Sequence, residues 1–261
     1  MGKALLAALL VAAPLAAGAQ PDSSSDNAQN EANNPLAPKP AVDAQDYFQP
    51  VLNAQPGSGA NQGILRGVLP HDTLDLPQIA RASLPVVDTA YGPTGSVTGL
   101  GDLTVFDVPV FSVDKVKVGI GPLLVVPTST SRALGDGKWQ GGAQTIASAP
   151  HAWGLTAGFV SYQKAFDGGA ETITAQPLLF YNLSDGYYLR SSGIASFDLV
   201  HQTSVVPVGL GLGRVITLPN GRVINTFVEP QFSVLRVGAG VPTFQVFAGF
   251  NIQFPLGSAG R

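Results

Sequence analysis

Histidine is the side chain best suited to acid–base chemistry near neutral pH, and this chain has three, His71, His151 and His201, but no cysteine. Nucleophilic catalysis requires a serine beside a histidine that an acid or amide orients. The local group that comes closest consists of Asp198, His201 and Ser204, which makes a hydrolase the sharpest enzymatic alternative. Such groups are common at turns, and no paired carboxylates accompany the histidines. We therefore expect no enzyme, no metal site and no cofactor.

A glycine-rich stretch, Gly209-Leu210-Gly211-Leu212-Gly213, could suggest a phosphate-binding loop. Such loops lie between a strand and a helix, whereas this stretch lies inside a predicted strand. Packing explains the glycines better, because alternate glycines thin one face of a strand and leave room for a bulky neighbour or for a lumen.

The composition excludes two further classes of protein. Charged residues make up 12 % and hydrophobic residues 45 % of the 261 residues, yet beyond the N-terminus no apolar run reaches the roughly 18 residues of a membrane helix. The 14 basic and 17 acidic residues give a net charge of -3. They form no basic cluster of the kind that binds nucleic acid.

The N-terminal region has two distinct compositions. Lys3, the apolar run from Ala4 to Leu15, and the small residues Ala17-Gly18-Ala19 are typical of a secretory signal peptide. We expect residues 1–19 to be cleaved and the rest to be exported. Residues 20–43 are polar and contain no aromatic side chain, so we expect a disordered linker there.

Residues 44–255 show the pattern of consecutive antiparallel strands. Turn signals such as Asp185-Gly186 and Asn220-Gly221 separate segments in which apolar and polar residues alternate. We predict an all-β, up-and-down barrel of about twelve strands, with ten as the alternative count, followed by a tail at 256–261. The strands are expected near 44–54, 60–70, 76–88, 99–112, 115–127, 138–149, 152–166, 171–183, 187–199, 203–218, 222–236 and 242–254.

Two features favour a transmembrane barrel over an exported soluble β-sandwich. The segments are longer than the 5 to 6 residues usual in globular strands and long enough to cross a bilayer at a tilt. The face opposite each apolar row is polar or rich in glycine, and the chain has few charges to cover a soluble domain. With both termini in the periplasm, the short turns fall on that side, at Asp114, Pro150-His151, 184–186 and 219–221.

Aromatic and proline residues test this interpretation. Trp139, Trp153, Tyr187 and Tyr188 fall near strand ends, where they belong either to aromatic girdles or to ordinary packing. Pro122, Pro177, Pro207 and Pro230 fall inside predicted strands. Each of these prolines requires a bulge, a strand end or a missing ladder partner.

Alternation also predicts which polar side chains face the lumen. A charge on the lipid face costs about 2 to 4 kcal/mol at the bilayer midplane, so charged residues within strands should point inward. The predicted lumen-lining residues and solute path are Arg66, Arg81, Lys117, Gln176, Arg190, Asp198, Glu229, Gln231, Gln245 and Asn251. They form either a selective channel or a salt-bridged plug that stiffens the barrel.

Several segments together resemble a known family: residues 64–71 (ILRGVLPH), 119–122 (GIGP), 127–140 (PTSTSRALGDGKWQ), 181–191 (YNLSDGYYLRS) and 244–255 (FQVFAGFNIQFP). The family consists of bacterial outer-membrane proteins labelled as transporters or as a component of the meta pathway of phenol degradation. The resemblance implies a Gram-negative outer-membrane barrel that passes small compounds, aromatic ones included. The chain departs from typical outer-membrane barrels because residues 255–261 follow Phe254, where such barrels end on an aromatic residue.

The leading hypothesis is a passive outer-membrane channel for small molecules, aromatic or hydrophobic ones included. Its expected partners are outer-membrane lipid, the solutes and the outer-membrane assembly machinery, and its oligomeric state is left open. The alternative is a plugged structural or adhesive barrel without transport, and the hydrolase comes third.

Overall fold

The computed structural model describes residues 23–73 and 75–255. The predicted signal peptide and the predicted tail at 256–261 lie outside the described residues. One helix, α1 (Ser23–Asn33), precedes the strands, and a short 3₁₀ turn spans Ser184–Gly186. The strands are β1 (Ala41–Leu52), β2 (Gly59–Thr73), β3 (Leu76–Gly92), β4 (Gly95–Gly99), β5 (Leu103–Val113), β6 (Val116–Val126), β7 (Gln140–His151), β8 (Gly154–Ala165), β9 (Glu171–Asn182), β10 (Tyr187–Ser191), β11 (Ala195–Asp198), β12 (Thr203–Gly209), β13 (Gly211–Thr217), β14 (Val223–Val237) and β15 (Pro242–Gln253).

The strands form a closed antiparallel barrel with twelve crossings. Three crossings each consist of two strands with a short interruption between them. These are β4 with β5, which both pair with β3, β10 with β11, and β12 with β13. Strand β1 pairs with β15, with Ala41 opposite Gln253, and this pairing closes the barrel. The all-β fold and the count of twelve are therefore confirmed.

The barrel has two distinct ends. Tight turns at 114–115, 152–153, 183–186 and 218–222 lie at the end where α1 and residues 254–255 also lie, which we call the terminal end. The opposite end, which we call the loop end, carries the connections at 53–58, 127–139, 166–170, 199–202 and 238–241. The predicted parity of short turns agrees with this arrangement.

Each of the four prolines lies at a defect in the ladder, as proline requires because it has no N–H to donate. Pro122 is next to residues 107–109 of β5, which have no partner on β6. Pro177 lies where β9 faces the interruption between β10 and β11. Pro230 lies opposite Leu210, the interruption between β12 and β13, and Pro207 follows a register shift.

The outer face of the barrel is apolar, whereas the interior combines buried polar side chains with a hydrophobic cluster that includes Val108, Ile146 and Leu155. The outward-facing Leu69, Ile120 and Val160 are 59 %, 54 % and 53 % exposed, whereas the inward-facing Glu229 and Gln231 are 0 % exposed. A soluble sandwich would bury its apolar rows, so this arrangement fits a barrel whose outer face contacts lipid. No helix within the described residues is long and apolar enough to cross a membrane.

The aromatic residues at the strand ends divide between the two faces. Trp139, Trp153 and Tyr187 are exposed at the ends of the barrel, and Trp153 stacks on His151 with ring centroids 4.7 Å apart. Tyr188 is instead fully buried inside, and its hydroxyl donates to Asn225 Oδ1 over 2.6 Å. The girdle interpretation is wrong for Tyr188, because adjacent strand residues point to opposite faces.

The segment before β1 differs from the expected disordered linker. Residues 23–33 form α1 at the terminal end, and Leu36 is only 1 % exposed. The low apolar content of this segment would prevent it from folding alone, but the interior of the barrel supplies hydrogen-bond partners that composition cannot reveal. Strand β1 also begins at Ala41, three residues earlier than predicted.

Candidate functional site: the barrel interior

All ten residues predicted to line the lumen lie on the inner face. Directly paired residues of an antiparallel ladder share a face, so the register assigns the charged members: Arg66 pairs with Asp43, Arg81 with Phe106, and Asp198 with Thr172. Lys117 lies near the terminal end and Asp198 at the loop end. The other inward members are Gln176, Arg190, Glu229, Gln231, Gln245 and Asn251.

One wall of the interior is filled by a hydrogen-bonded set that we call the Glu229 network: Arg190, Ser192, Glu229, Gln231 and Gln245. Arg190 Nε donates to Glu229 Oε2 over 2.8 Å, and this ion pair is buried, with its side chains 6 % and 0 % exposed. The Ser192 hydroxyl and backbone N–H donate to the same carboxylate over 2.6 Å and 2.8 Å. Gln231 also donates to it, and Gln245 donates to Gln231. Every charge in the network is therefore paired, as buried charges must be.

The small residues of the glycine-rich stretch make room for this network. A Cβ atom at Gly211 would collide with Glu229, and a Cβ atom at Gly213 would collide with the ring of Tyr188. Gly209 lies in the same way against Gln231 and Glu229. The packing interpretation of the glycines is thus the one that the geometry supports.

An aromatic layer crosses the interior beside the Glu229 network. Tyr47 and Phe247 stack with ring centroids 4.1 Å apart and planes 6° apart, and Phe227 meets Phe247 edge-on at 4.8 Å. The guanidinium carbon of Arg190 lies 3.5 Å from the Phe227 ring centroid. Such contacts hold the cation in place through the ring quadrupole.

A second part of the wall, on β2 and β3, carries two arginines without a carboxylate in ion-pair contact. Arg66 Nε donates to Ser83 Oγ over 2.9 Å. The guanidinium carbon of Arg81 lies 4.5 Å from the Phe106 ring centroid and 4.8 Å from that of Phe159. Within residues 23–73 and 75–255, neither arginine forms an ion pair, and Arg81 Nε is buried without a hydrogen-bond partner.

The space inside the barrel is divided into cavities. A central cavity of about 150 Å³ lies between these arginines, the aromatic layer and the segment after α1. A cavity of about 310 Å³ lies toward the loop end, where Leu134 and Gly135 of the 127–139 loop form part of its wall. Another, of about 250 Å³, lies beside Leu36, Pro38 and Lys117 near the terminal end.

Residues 23–39, which we call the terminal plug, narrow the terminal end. Gln29 Nε2 donates to the carbonyl oxygen of Tyr187 over 2.8 Å, and Asn30 Nδ2 donates to that of His151 over 3.0 Å. From the barrel side, Gln253 Nε2 donates to the carbonyl oxygen of Ala32 over 2.7 Å. These bonds tie the plug to the turns and strand ends of the barrel through backbone carbonyls on both sides.

The residues of the hydrolase hypothesis do not assemble. His201 Nδ1 lies 2.8 Å from Asp198 Oδ2 at the exposed loop end, and this contact raises the pKa of the His201 imidazole above its ordinary value. Ser204 pairs with Phe197, so it points to the opposite face of the sheet from Asp198. No group of three or more candidate metal ligands occurs in the described part of the chain.

Sequence reasoning missed several interior residues. Asp43 lies within the predicted linker, whereas the alternation of Gln45 and Tyr47 extends to it and the register places it on the inner face of β1. Phe247 alternates in phase with Gln245 and Asn251 on the last segment, and this pattern indicates that its ring points inward. Nothing local indicated that Asn33 would reach Asn225 Nδ2, 192 positions away.

No protein-family model matches the chain, and no curated protein matches it. Among solved structures, it is similar to a COG4313 outer membrane channel from Pseudomonas putida F1, with a TM-score of 0.59 and 15% identity over 83% of this chain and 94% of that one. It also matches the KdgM porin in complex with disordered oligogalacturonate (TM-score 0.44, 10% identity, 83% of this chain and 99% of that one). An anion-selective porin from Comamonas acidovorans matches with a TM-score of 0.39 and 9% identity, over 82% of this chain and 97% of that one. The first likeness establishes a shared fold.

Proposed function

We propose that this protein is a passive outer-membrane channel for small molecules, aromatic or hydrophobic ones included. The observation that carries the proposal is an apolar outer face around an interior in which charged and polar side chains border several cavities. A structural barrel of this size could fill its interior with side chains alone. Here one wall is filled by the Glu229 network, while the wall that holds Arg66 and Arg81 borders open space.

The proposed path runs from the loop-end cavity past the arginines to the terminal plug. The cavities are small, so the path suits small solutes rather than polymers. It uses the inward residues as polar contacts and needs no cofactor and no covalent step. The proposed lumen-lining set is Arg66, Arg81, Lys117, Gln176, Arg190, Asp198, Glu229, Gln231, Gln245 and Asn251, in which the buried Glu229, Gln231 and Gln245 shape the wall rather than contact the solute.

The proposed location is the outer membrane of a Gram-negative bacterium, reached after export and cleavage of a signal peptide and insertion by the assembly machinery. The fold shared with an outer membrane channel supports this location. Lipid contacts would involve the exposed apolar rows.

A plugged structural barrel is the alternative, and two observations favour it. The terminal plug is held to the barrel by side-chain hydrogen bonds, and the Glu229 network leaves no unpaired charge on its wall. This alternative predicts a folded barrel without conductance.

Single-channel recording in a planar bilayer tests the proposal, after heat-modifiable migration on a gel has established a folded barrel. We expect reproducible small conductance steps. The Arg190→Ala variant should shift the reversal potential in a salt gradient toward cation selectivity, because it leaves Glu229 without its counter-charge. A folded but silent wild-type barrel would reject the channel. Conducting pores with unchanged selectivity in the variant would remove Arg190 from the path.

A further inference from the structure

The central cavity carries an unbalanced positive charge. Arg66 and Arg81 lie on the adjacent strands β2 and β3, and Asp43, the ladder partner of Arg66 on β1, is the carboxylate among the described residues that line this cavity. Asp43 Oδ1 also accepts a hydrogen bond from Asn251 Nδ2 over 2.8 Å. The other charged residues of this cavity wall are Arg190 and Lys39, which pair with Glu229 and Glu31. The wall therefore holds one more cation than anion, and a monoanion would balance it.

The orientation of Arg81 leaves its hydrogen-bond donors available. Phe106 and Phe159 lie within 4.8 Å of its guanidinium carbon and bind the cation through their ring faces. The N–H groups of a guanidinium lie in its plane and match the two oxygens of a carboxylate. Arg81 Nε is buried and has no partner, although buried polar groups are normally hydrogen-bonded.

The size of the cavity and the apolar part of its lining suit an aromatic ring, beside amide side chains such as Gln176 and Asn225. Its volume is about 150 Å³, close to that of engineered apolar cavities of roughly 150 Å³ that bind benzene. Ile79, Leu178 and Phe180 line it beside the arginines. A flat apolar ring with one carboxylate would satisfy both parts of the wall.

We propose that the central cavity is a binding site for a small aromatic carboxylate, with the carboxylate between Arg66 and Arg81 and the ring against Ile79, Leu178 and Phe180. The proposal rests on the channel function, since a solute must enter the barrel to reach this site. It assigns the two arginines to recognition of the solute.

The test is equilibrium binding of 4-fluorobenzoate to the folded full-length protein in detergent, followed by fluorine NMR. We expect saturable binding that weakens about tenfold or more in Arg81→Gln and in Arg66→Gln, as the loss of a charge-assisted hydrogen bond implies. The neutral 4-fluorobenzyl alcohol should bind the wild-type protein at least about tenfold more weakly for the same reason. The matched control is Arg132→Gln, since Arg132 is exposed on the 127–139 loop, and it should bind like the wild type.

The alcohol comparison uses only wild-type protein, so the test holds even where a variant fails to fold. Equal binding of the alcohol, absence of saturable binding, or full binding by a folded Arg81→Gln variant would each overturn the proposal. Conductance without benzoate binding would reject this site and leave the channel intact. Binding by a silent barrel would reject the channel instead.

Discussion

The Glu229 carboxylate is the most informative group to remove from the interior. It is fully buried and accepts hydrogen bonds from Arg190, from the Ser192 hydroxyl and N–H, and from Gln231. In a Glu229→Gln variant the shape of the side chain is preserved and its charge is lost. Arg190 then remains buried on the Phe227 ring without a counter-ion.

The expected cost is large for a single-atom change. Breaking a buried ion pair by removing one partner typically costs about 3 to 5 kcal/mol. Arg190 keeps its ring contact, but the amide NH2 group replaces an oxygen that accepts from two donors, so we expect a cost above the lower end of that range, more than about 3 kcal/mol. The matched control is Glu171→Gln, which breaks the 2.9 Å pair with Lys164 on the outer face. Because Lys164 is 53 % exposed and solvent screens the pair, we expect a much smaller cost there.

The assay is reversible urea unfolding of the barrel in lipid vesicles, monitored by the fluorescence of Trp139 and Trp153. A double variant, Arg190→Met with Glu229→Leu, should cost less free energy of unfolding than Arg190→Met and Glu229→Leu added together, because neither charge is then left buried without its partner. The reasoning fails if Glu229→Gln costs no more than Glu171→Gln. It also fails if the cost of the double variant equals the sum of both single substitutions.

Two further predictions concern the ends of the barrel. Deletion of the terminal plug, residues 23–39, should increase single-channel conductance, because Ala32 and Asn33 form part of the central cavity wall. Unchanged conductance would show that the plug does not limit the passage of ions. Substitution Asp198→Asn should lower the pKa of His201 toward its ordinary value near 6.5, because the carboxylate favours the protonated imidazole. A proton NMR titration of the His201 imidazole checks this, and its midpoint should lie at lower pH in the variant. An identical midpoint would show that Asp198 does not stabilise the protonated imidazole.

The sequence alone determined the strands, the turns and the faces of the barrel. Side-chain alternation has a period of two residues and acts between immediate neighbours, so the inward direction of Arg66, Glu229 and Gln245 follows from the sequence itself. The ladder defects at the prolines also follow locally, because each proline lacks a backbone donor wherever it lies.

The tertiary structure alone decided what fills the interior. Alternation gives a direction but not a partner, and contacts across a barrel join residues far apart in the chain. Gln253 donates to Ala32 across 221 positions, and Arg190 meets Glu229 across 39. The terminal plug is ordered by such distant partners, which its own composition does not contain. The closed barrel determines which arginine has an ion-pair partner and which has none. The proposed solute site depends on this difference.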